Sequence, residues 1–326
     1  MLKTEILSTA TAGELDAAAA RAAQALRAGK LVALPTETVY GLAAEALDEQ
    51  ACRRIFEAKS RPLSDPLIVH VPYIEWMFRI SNPSDLAKRV AEAFWPGPLT
   101  IVTQRRSIVP DIATAGQETV AMRMSAHPIF RAVALLADFP LAAPSANRFG
   151  RISPTSAAHV HAELDGRIDF IVDGGPCEHG IESTIVLDNQ DSLEILRHGP
   201  ISKEQLEEFA PVRERQRHDV AAPGGLKSHY APVTAMDILW QADLDRPLEG
   251  AAGEGLLAWK PVDARGFAAV EVLSESGDLR EVATNLYAGM RRLDERGLSR
   301  ILALPVPEEG LGIAIMERLR KAAARE

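Results

Sequence analysis

Several short polar segments carry the residues that could do chemistry, and each stands beside an apolar run. Pro35-Thr36-Glu37-Thr38-Val39-Tyr40-Gly41 directly follows the run Lys30–Leu34. Ligands tend to sit in loops at the carboxyl ends of strands in α/β sheets. Two threonine hydroxyls and a carboxylate there could bind an amino group or a sugar, or could simply cap a turn. Lys59-Ser60-Arg61-Pro62, followed by Leu63-Ser64-Asp65-Pro66, closes a helical stretch. Cations at a helix C-terminus complement the dipole. Lys and Arg two residues apart, stiffened by proline, equally suit triphosphate oxygens, with Arg able to grip two at once. His70 lies in the run Leu67–Val71, where a lone histidine is structural unless its face is the ligand face. Arg123 interrupts Thr119-Val120-Ala121-Met122-Arg123-Met124. A buried strand arginine needs an anionic partner, either a substrate carboxylate or an internal Asp or Glu. Ala143-Pro144-Ser145-Ala146-Asn147, Ser153-Pro154-Thr155 and Gly180-Ile181-Glu182-Ser183-Thr184 add small polar groups at strand ends.

Other chemistries are excluded by pattern. The chain holds no GxxxxGK[ST] phosphate loop, no GxGxxG turn, no HExxH or CxxC metal signature, and Ser145 lacks the GxSxG elbow of a hydrolase. Two cysteines, Cys52 and Cys177, provide neither a disulfide scaffold nor a four-cysteine zinc site. The hydrophobic fraction of 47% and charged fraction of 25% are those of an ordinary globular protein. The early acidic residue and the missing apolar signal core give no support for secretion, and no apolar run is long enough for a membrane span, so the expected address is the cytoplasm. A net charge of −9 argues against coating nucleic acid, so any polyanion contact must be local. Arginines cluster at Arg53, Arg54 and Arg61 and again at Arg213, Arg215 and Arg217, clusters that ordinarily mark solvated faces.

The elements that position these residues alternate. Thr11 and Glu14 have capping-box spacing before an alanine-rich helix stopped by Gly29. Asp48 caps a helix to about Lys59, and Asn82-Pro83 is expected to open another with proline at its first position. Strands are expected at Lys30–Leu34, Leu67–Val71, Leu99–Thr103, Thr119–Met124, Leu141–Ala143, Phe170–Val172, Thr184–Leu187 and Leu193–Arg197. Helices between short apolar strands imply a mixed α/β sheet over residues 1–210. Residues 211–232 contain Gly224-Gly225-Leu226-Lys227-Ser228-His229-Tyr230-Ala231-Pro232 and read as a linker or flap. A small α/β domain follows over 233–326, with strands near Met236–Leu239, Gly255–Trp259, Ala269–Val272 and Arg300–Leu304 and an amphipathic helix from Asp278 to Arg296.

Taken in order, the segments resemble the YrdC-domain family of threonylcarbamoyl-AMP synthases in its long, two-domain form. The resemblance rests on PTETVYGL at 35–42, KSRP at 59–62, PLIVH at 66–70, WPGPLT at 95–100, TVAMRM at 119–124, APSAN at 143–147, GIESTI at 180–185, LRHGP at 196–200, HYAP at 229–232 and GLGIAIMERLRKAA at 310–323. It implies a YrdC-like twisted mixed sheet with a deep cationic cavity, then a small Rossmann-like domain. The implied reaction joins L-threonine, bicarbonate and ATP into threonylcarbamoyl-AMP and pyrophosphate, with Mg²⁺ accompanying ATP. By similarity, threonine would be held by Thr38, His70, Arg123, Ala143 and Ser183. ATP would be held by Arg61, Asp65, Thr119, Ser145, Asn147, Ser153, Arg197 and Tyr230, with Lys59 and Arg61 as the catalytic cations. The family commonly has Asn at the Asp65 position, so Asp65 either helps hold Mg²⁺ or points away. The product would pass to tRNA threonylcarbamoyl transfer proteins, with at most a weak tRNA contact by this chain and none with a membrane. The alternative is an RNA-binding module of translation without this catalysis, supported by the arginine clusters and opposed by the acidic charge and the lack of aromatic RNA-binding motifs. Carbamoyl transfer in hydrogenase maturation would require zinc-finger cysteines that the chain lacks.

Overall fold

A computed structural model describes residues 3–214 and 229–324. The chain divides into two compact units. Described residues 3–149, 154–178 and 182–214 form the first, and 150–153, 179–181 and 229–324 the second.

The first unit is built on an eleven-stranded sheet. Its strands are β1 (Glu5–Ser8), β2 (Val32–Leu34), β3 (Gly41–Glu45), β4 (Ile68–His70), β5 (Leu99–Gln104), β6 (Thr119–Arg123), β7 (Leu141–Ala142), β8 (Phe170–Asp173), β9 (Thr184–Asp188), β10 (Leu193–Arg197) and β11 (Val212–Glu214). They lie in the order β1-β8-β2-β3-β7-β4-β6-β5-β9-β10-β11. The sheet is mixed: β4 runs parallel to β6 and β5 to β9, whereas β5 and β6 are antiparallel.

Caps written in the sequence set the helices. Thr11 and Glu14 form the expected capping box on Ala12–Arg27, and the Asp48 carboxylate accepts from the Gln50 and Ala51 amides to start Glu49–Lys59. The helix expected at Asn82-Pro83 instead begins after Ser84, whose hydroxyl accepts from the Ala87 amide, so Asp85–Phe94 leaves Pro83 outside. A side chain that satisfies an orphan amide outweighs the merely permissive φ of proline.

Strand alternation sorts the central strands into two faces. Val69, Ile101, Val120, Met122 and Val186 enter the large core shared with helices Glu49–Lys59 and Asp85–Phe94. The opposite face carries only a small apolar cluster of Ile68, Val102, Ala121, Ile185 and Leu196. The same alternation puts Thr119 and Arg123, His70, Thr100 and Ser183 on that second face. A sheet face with so little apolar cover is where polar groups can be held together.

The second unit has a four-stranded, wholly parallel sheet. Its strands are β12 (Met236–Ile238), β14 (Glu254–Ala258), β16 (Ala269–Val272) and β17 (Arg300–Ala303), in the order β12-β17-β14-β16; β13 (Leu248–Glu249) and β15 (Ala264–Arg265) form a separate pair. Helix Leu279–Asp294 buries Val282, Ala283, Leu286, Tyr287, Met290 and Leu293, the face expected from its periodicity. Segments 150–153 and 179–181 belong to this unit: the Ala231 amide donates to the Gly150 carbonyl, and a Cβ on Gly180 would lie 2.4 Å from Thr284 Cα. The stretch expected as a linker or flap at 211–232 is packed at both of its described ends. Val212–Glu214 pairs with β10, burying Val212, and His229 and Tyr230 pack in the second unit. Gly224, Gly225 and Lys227 of that stretch, together with Arg215 and Arg217, lie outside the described residues. Among the described residues no helix is long and apolar enough to cross a membrane.

Candidate active site

Arg123 ends β6 directly beside His70, its register partner at the end of β4. Its guanidinium is only 3% exposed. Nε donates to the Gly97 carbonyl at 3.2 Å, Nη1 donates to Thr38 Oγ1 at 2.9 Å, and Nη2 lies 2.7 Å from Glu37 Oε1. The anionic partner that a buried arginine demands is therefore Glu37, from the loop after β2. Ser125 donates to the other carboxylate oxygen at 2.5 Å, and Thr36 Oγ1 sits 2.8 Å from Thr38 Oγ1. Burial pushes the Glu37 carboxyl up, but Arg123 and Ser125 overcome it and hold it at about 2. His70 goes the other way. Burial, reinforced by Arg123, pushes its imidazole down to about 3, so it is neutral. Its ring lies 4.7 Å from that of Phe130, and its Nδ1 has no hydrogen-bond partner among the described residues.

A second cationic cluster forms where helix Glu49–Lys59 ends. Ser60 takes a left-handed conformation and turns the chain, with Arg61 held by its amide to the Phe56 carbonyl. Lys59, 1% exposed, donates to the carbonyls of Ser145 and Asn147, and its own carbonyl accepts from the Phe149 amide. That network fastens the Lys-x-Arg turn to the Ser-x-Asn segment. Arg61 donates to the Asp65 and Pro66 carbonyls at 3.1 and 2.8 Å and lies 2.9 Å from Asp65 Oδ2. Asp65 therefore points at Arg61 and not away from the cluster. Burial raises its carboxyl, with Arg61, Lys59 and Arg197 opposing, and burial together with Arg61 lowers the Lys59 ammonium. Among the described residues, no group of three or more His, Cys, Asp or Glu side chains gathers in the manner of a metal site.

Arg197 ends β10 and reaches back to β9, where Nε and Nη2 donate to the Ser183 carbonyl and Nη2 to its hydroxyl at 3.1 Å. Ser183 Oγ also lies 2.8 Å from Thr100 Oγ1. Gly199 makes this possible: a Cβ there would sit 2.3 Å from the Thr184 nitrogen. Ala143 donates its amide to the Ile68 carbonyl, next to β4. Thr119 stands at the far end of β6 from Arg123, ~13 Å along the strand. Ser153 and Tyr230 are buried in the second unit, where Tyr230 packs between the Tyr287 ring and the Arg318 guanidinium, each 5.7 Å from its ring centre. Sequence reasoning left Glu37 out of the site although it named the carboxylate, and it missed Ser125 and Thr100. The available signals were the unmet charge of Arg123 and the alternation that puts Thr100 on the site face.

The Sua5/YciO/YrdC family profile, described as telomere recombination, matches residues 24–199, more than half of the chain. The chain belongs to this family. A second profile, described as the threonylcarbamoyl-AMP synthase C-terminal domain, matches residues 201–324. The chain is 42% identical over 315 residues to the threonylcarbamoyl-AMP synthase of Pyrococcus abyssi, covering 92% of each chain. It is 39% identical over 326 residues to that of Bacillus subtilis, covering 94% of this chain and 93% of the relative. Among solved structures, P. abyssi Sua5 in complex with L-threonine aligns with a TM-score of 0.83 at 34% identity, over 98% of this chain and 97% of that one. A double alanine variant of the same protein aligns with a TM-score of 0.86 at 35% identity, over 98% and 96%. The YrdC-like sheet with a C-terminal α/β unit is thus the architecture of this family.

Proposed function

We propose that this chain is a threonylcarbamoyl-AMP synthase, condensing L-threonine, bicarbonate and ATP and releasing pyrophosphate. The observation that carries the reading is the pair of buried arginines, Arg123 and Arg61, each beside a buried carboxylate, in a chain whose relatives carry that name over nearly their whole length. Arg123 offers a charge for the threonine carboxylate, while Thr38, neutral His70, the Ala143 backbone and Ser183 supply its remaining polar contacts. Lys59, Arg61 and Arg197, with Thr119, Ser145 and Asn147, would bind the nucleotide. Ser153 and Tyr230 keep the nucleotide role that the resemblance assigns them, while Asp65 would act only by holding Arg61 until the triphosphate takes its place.

Threonine amine and bicarbonate condense to a carbamate with loss of water, and a carbamate oxygen attacks the α-phosphorus of ATP and expels pyrophosphate. Both partners are anions, so fixed cations offset their repulsion and stabilise the charge-dense transition state. Holding the reactants together can supply several kcal/mol of the ~7–11 that orientation offers. No protein nucleophile is needed. Asp65 is engaged by Arg61, so we place Mg²⁺ on the triphosphate, where it offsets phosphate charge. The acyl adenylate would feed the transfer proteins of tRNA modification in the cytoplasm, and any tRNA contact by this chain would be weak and local. The test is pyrophosphate release from ATP with threonine and bicarbonate supplied together and then omitted in turn. Release that requires both, but not RNA, supports the reading. Release indifferent to threonine overturns it.

A further inference from the structure

We infer that Glu37 is a specificity-determining residue that reads the α-ammonium of the incoming amino acid, so that the site accepts a zwitterion and discriminates against a plain carboxylate. This rests on the proposed threonine role of Arg123.

The argument is a count of hydrogen-bonding capacity. A guanidinium has five N–H donors and an ionised carboxylate roughly four lone-pair sites. Arg123 spends two donors, on the Gly97 carbonyl and Thr38 Oγ1, and its Nη2 faces Glu37 Oε1 as an ion pair at 2.7 Å. Glu37 Oε2 accepts from Ser125, while Oε1 meets Arg123 in the ion pair alone, which takes up one contact on each side. The pair thus keeps about two donors and two acceptor positions unspent, side by side, at groups only 3% and 4% exposed. Buried capacity of that kind is costly when it meets nothing. A carboxylate and an ammonium on one carbon supply the complement of both halves.

The charges agree. Arg123 and Glu37 cancel, and His70 is neutral, so the subsite has no net charge to spend on an anion alone. Glu37 is also a fixed charge and not a proton carrier, because its partners hold it ionised far below neutral pH. It would hold the ammonium during binding, while deprotonation of the amine is left to other groups or to solvent. Ser125 is a positioning residue: its hydroxyl pins Glu37 Oε2 and accepts from the His127 amide at 3.3 Å, tying the carboxylate to the start of helix Pro128–Ala137.

The test is calorimetric titration of the full-length protein with L-threonine and with 3-hydroxybutyrate, the same molecule without its amine. Wild type should bind threonine at least about tenfold more tightly, the scale of one hydrogen bond to a charged group. Glu37→Gln should shrink that ratio by about tenfold, because it removes the ammonium's partner and frees Arg123 for any carboxylate. Glu37→Asp should retain much of the ratio even where both affinities fall. If Glu37 were only a structural counter-ion, Glu37→Gln would weaken both ligands in parallel and leave the ratio unchanged, which overturns the inference. Equal binding of the two ligands by wild type overturns it without any variant. Wild type that binds neither ligand removes the threonine reading of the site itself, and this inference with it.

Discussion

Arg123 and Arg61 are each buried beside a carboxylate, 2.7 Å from Glu37 and 2.9 Å from Asp65, yet the two acids respond in opposite directions. Glu37 is drawn down to about 2 because Arg123 and Ser125 together outweigh its desolvation. Asp65 is raised because burial outweighs Arg61, Lys59 and Arg197. Hydrogen bonds to the Glu37 carboxylate, which Asp65 lacks among the described residues, make the difference, and one of them is on the second oxygen. Ser125 donates to the one that Arg123 leaves on Glu37. A carboxylate gripped on both sides is a permanent part of its site. One whose burial is incompletely repaid can surrender its arginine to a stronger anion, and a triphosphate is such an anion. The subsite proposed for the amino acid is therefore built as a fixed ion pair, and the one proposed for the nucleotide as an exchangeable one.

The severest challenge to that contrast is Arg123→Ala. Removing one partner of a desolvated charge pair costs ~2–5 kcal/mol, so the threonine requirement should rise by about 30-fold to several thousandfold, with a smaller effect on ATP. Threonine titrations of a variant verified as folded by circular dichroism decide it, and unchanged threonine affinity would refute the assignment. Next in size is Arg61→Ala, expected to raise the ATP requirement by roughly 10- to 100-fold, the scale of a charge-assisted contact. Arg61→Lys should recover only part, because the two-pronged geometry is lost. If Arg61 merely caps its helix, the thermal midpoint falls while turnover stays normal, so both are measured on the same variants.

Acid distinguishes the pairs more gently. The folded pKa of Glu37 lies below its ordinary 4.5, so its contribution to stability is present above 4.5 and is lost as pH falls towards about 2. Thermal midpoints of Glu37→Gln should accordingly sit below wild type at neutral pH and converge on it in acid. Parallel curves down to the lowest pH would show that the ion pair contributes nothing to stability. Asp65→Asn should be mildest. A raised folded pKa means that Asp65 costs stability as pH rises above the ordinary aspartate range. Asparagine removes that cost and keeps a side-chain acceptor for Arg61, so the change in stability at neutral pH should stay within about 1 kcal/mol. ATP should bind as well or better without the extra negative charge. A marked loss of ATP affinity would instead make the Asp65 carboxylate part of the nucleotide site.

Much of this arrangement was legible because it is local. Thr11, Glu14 and Asp48 are read as caps from spacing alone, and the strands carrying His70, Arg123 and Arg197 stand out as apolar runs interrupted by a charge. The unread parts depend on partners far along the chain. That Arg123 needs an anion follows from its burial, but its choice of Glu37 follows from the pairing of strands between them. Val212–Glu214 has no apolar run to announce it, and becomes a strand because β10 offers an unpaired edge. Pro83 was misplaced because two local signals competed and the Ser84 hydroxyl prevailed.

Four polar contacts of the site share one feature. Thr38 and Arg123 are 85 positions apart, Glu37 and Ser125 are 88, Thr100 and Ser183 are 83, and Lys59 and Asn147 are 88. None of these bonds can form until a loop of that size has closed, a step that slows folding more than local helix formation does. On the ribosome, the arginine that grips Ser183 emerges last of the first unit's site residues, after more than half the chain has been made. The proposed substrate contacts are then ones that the growing chain can complete only late. A ligand that raises the melting temperature of this protein would report on the completed topology of the first unit, and a partly folded chain would give no such signal.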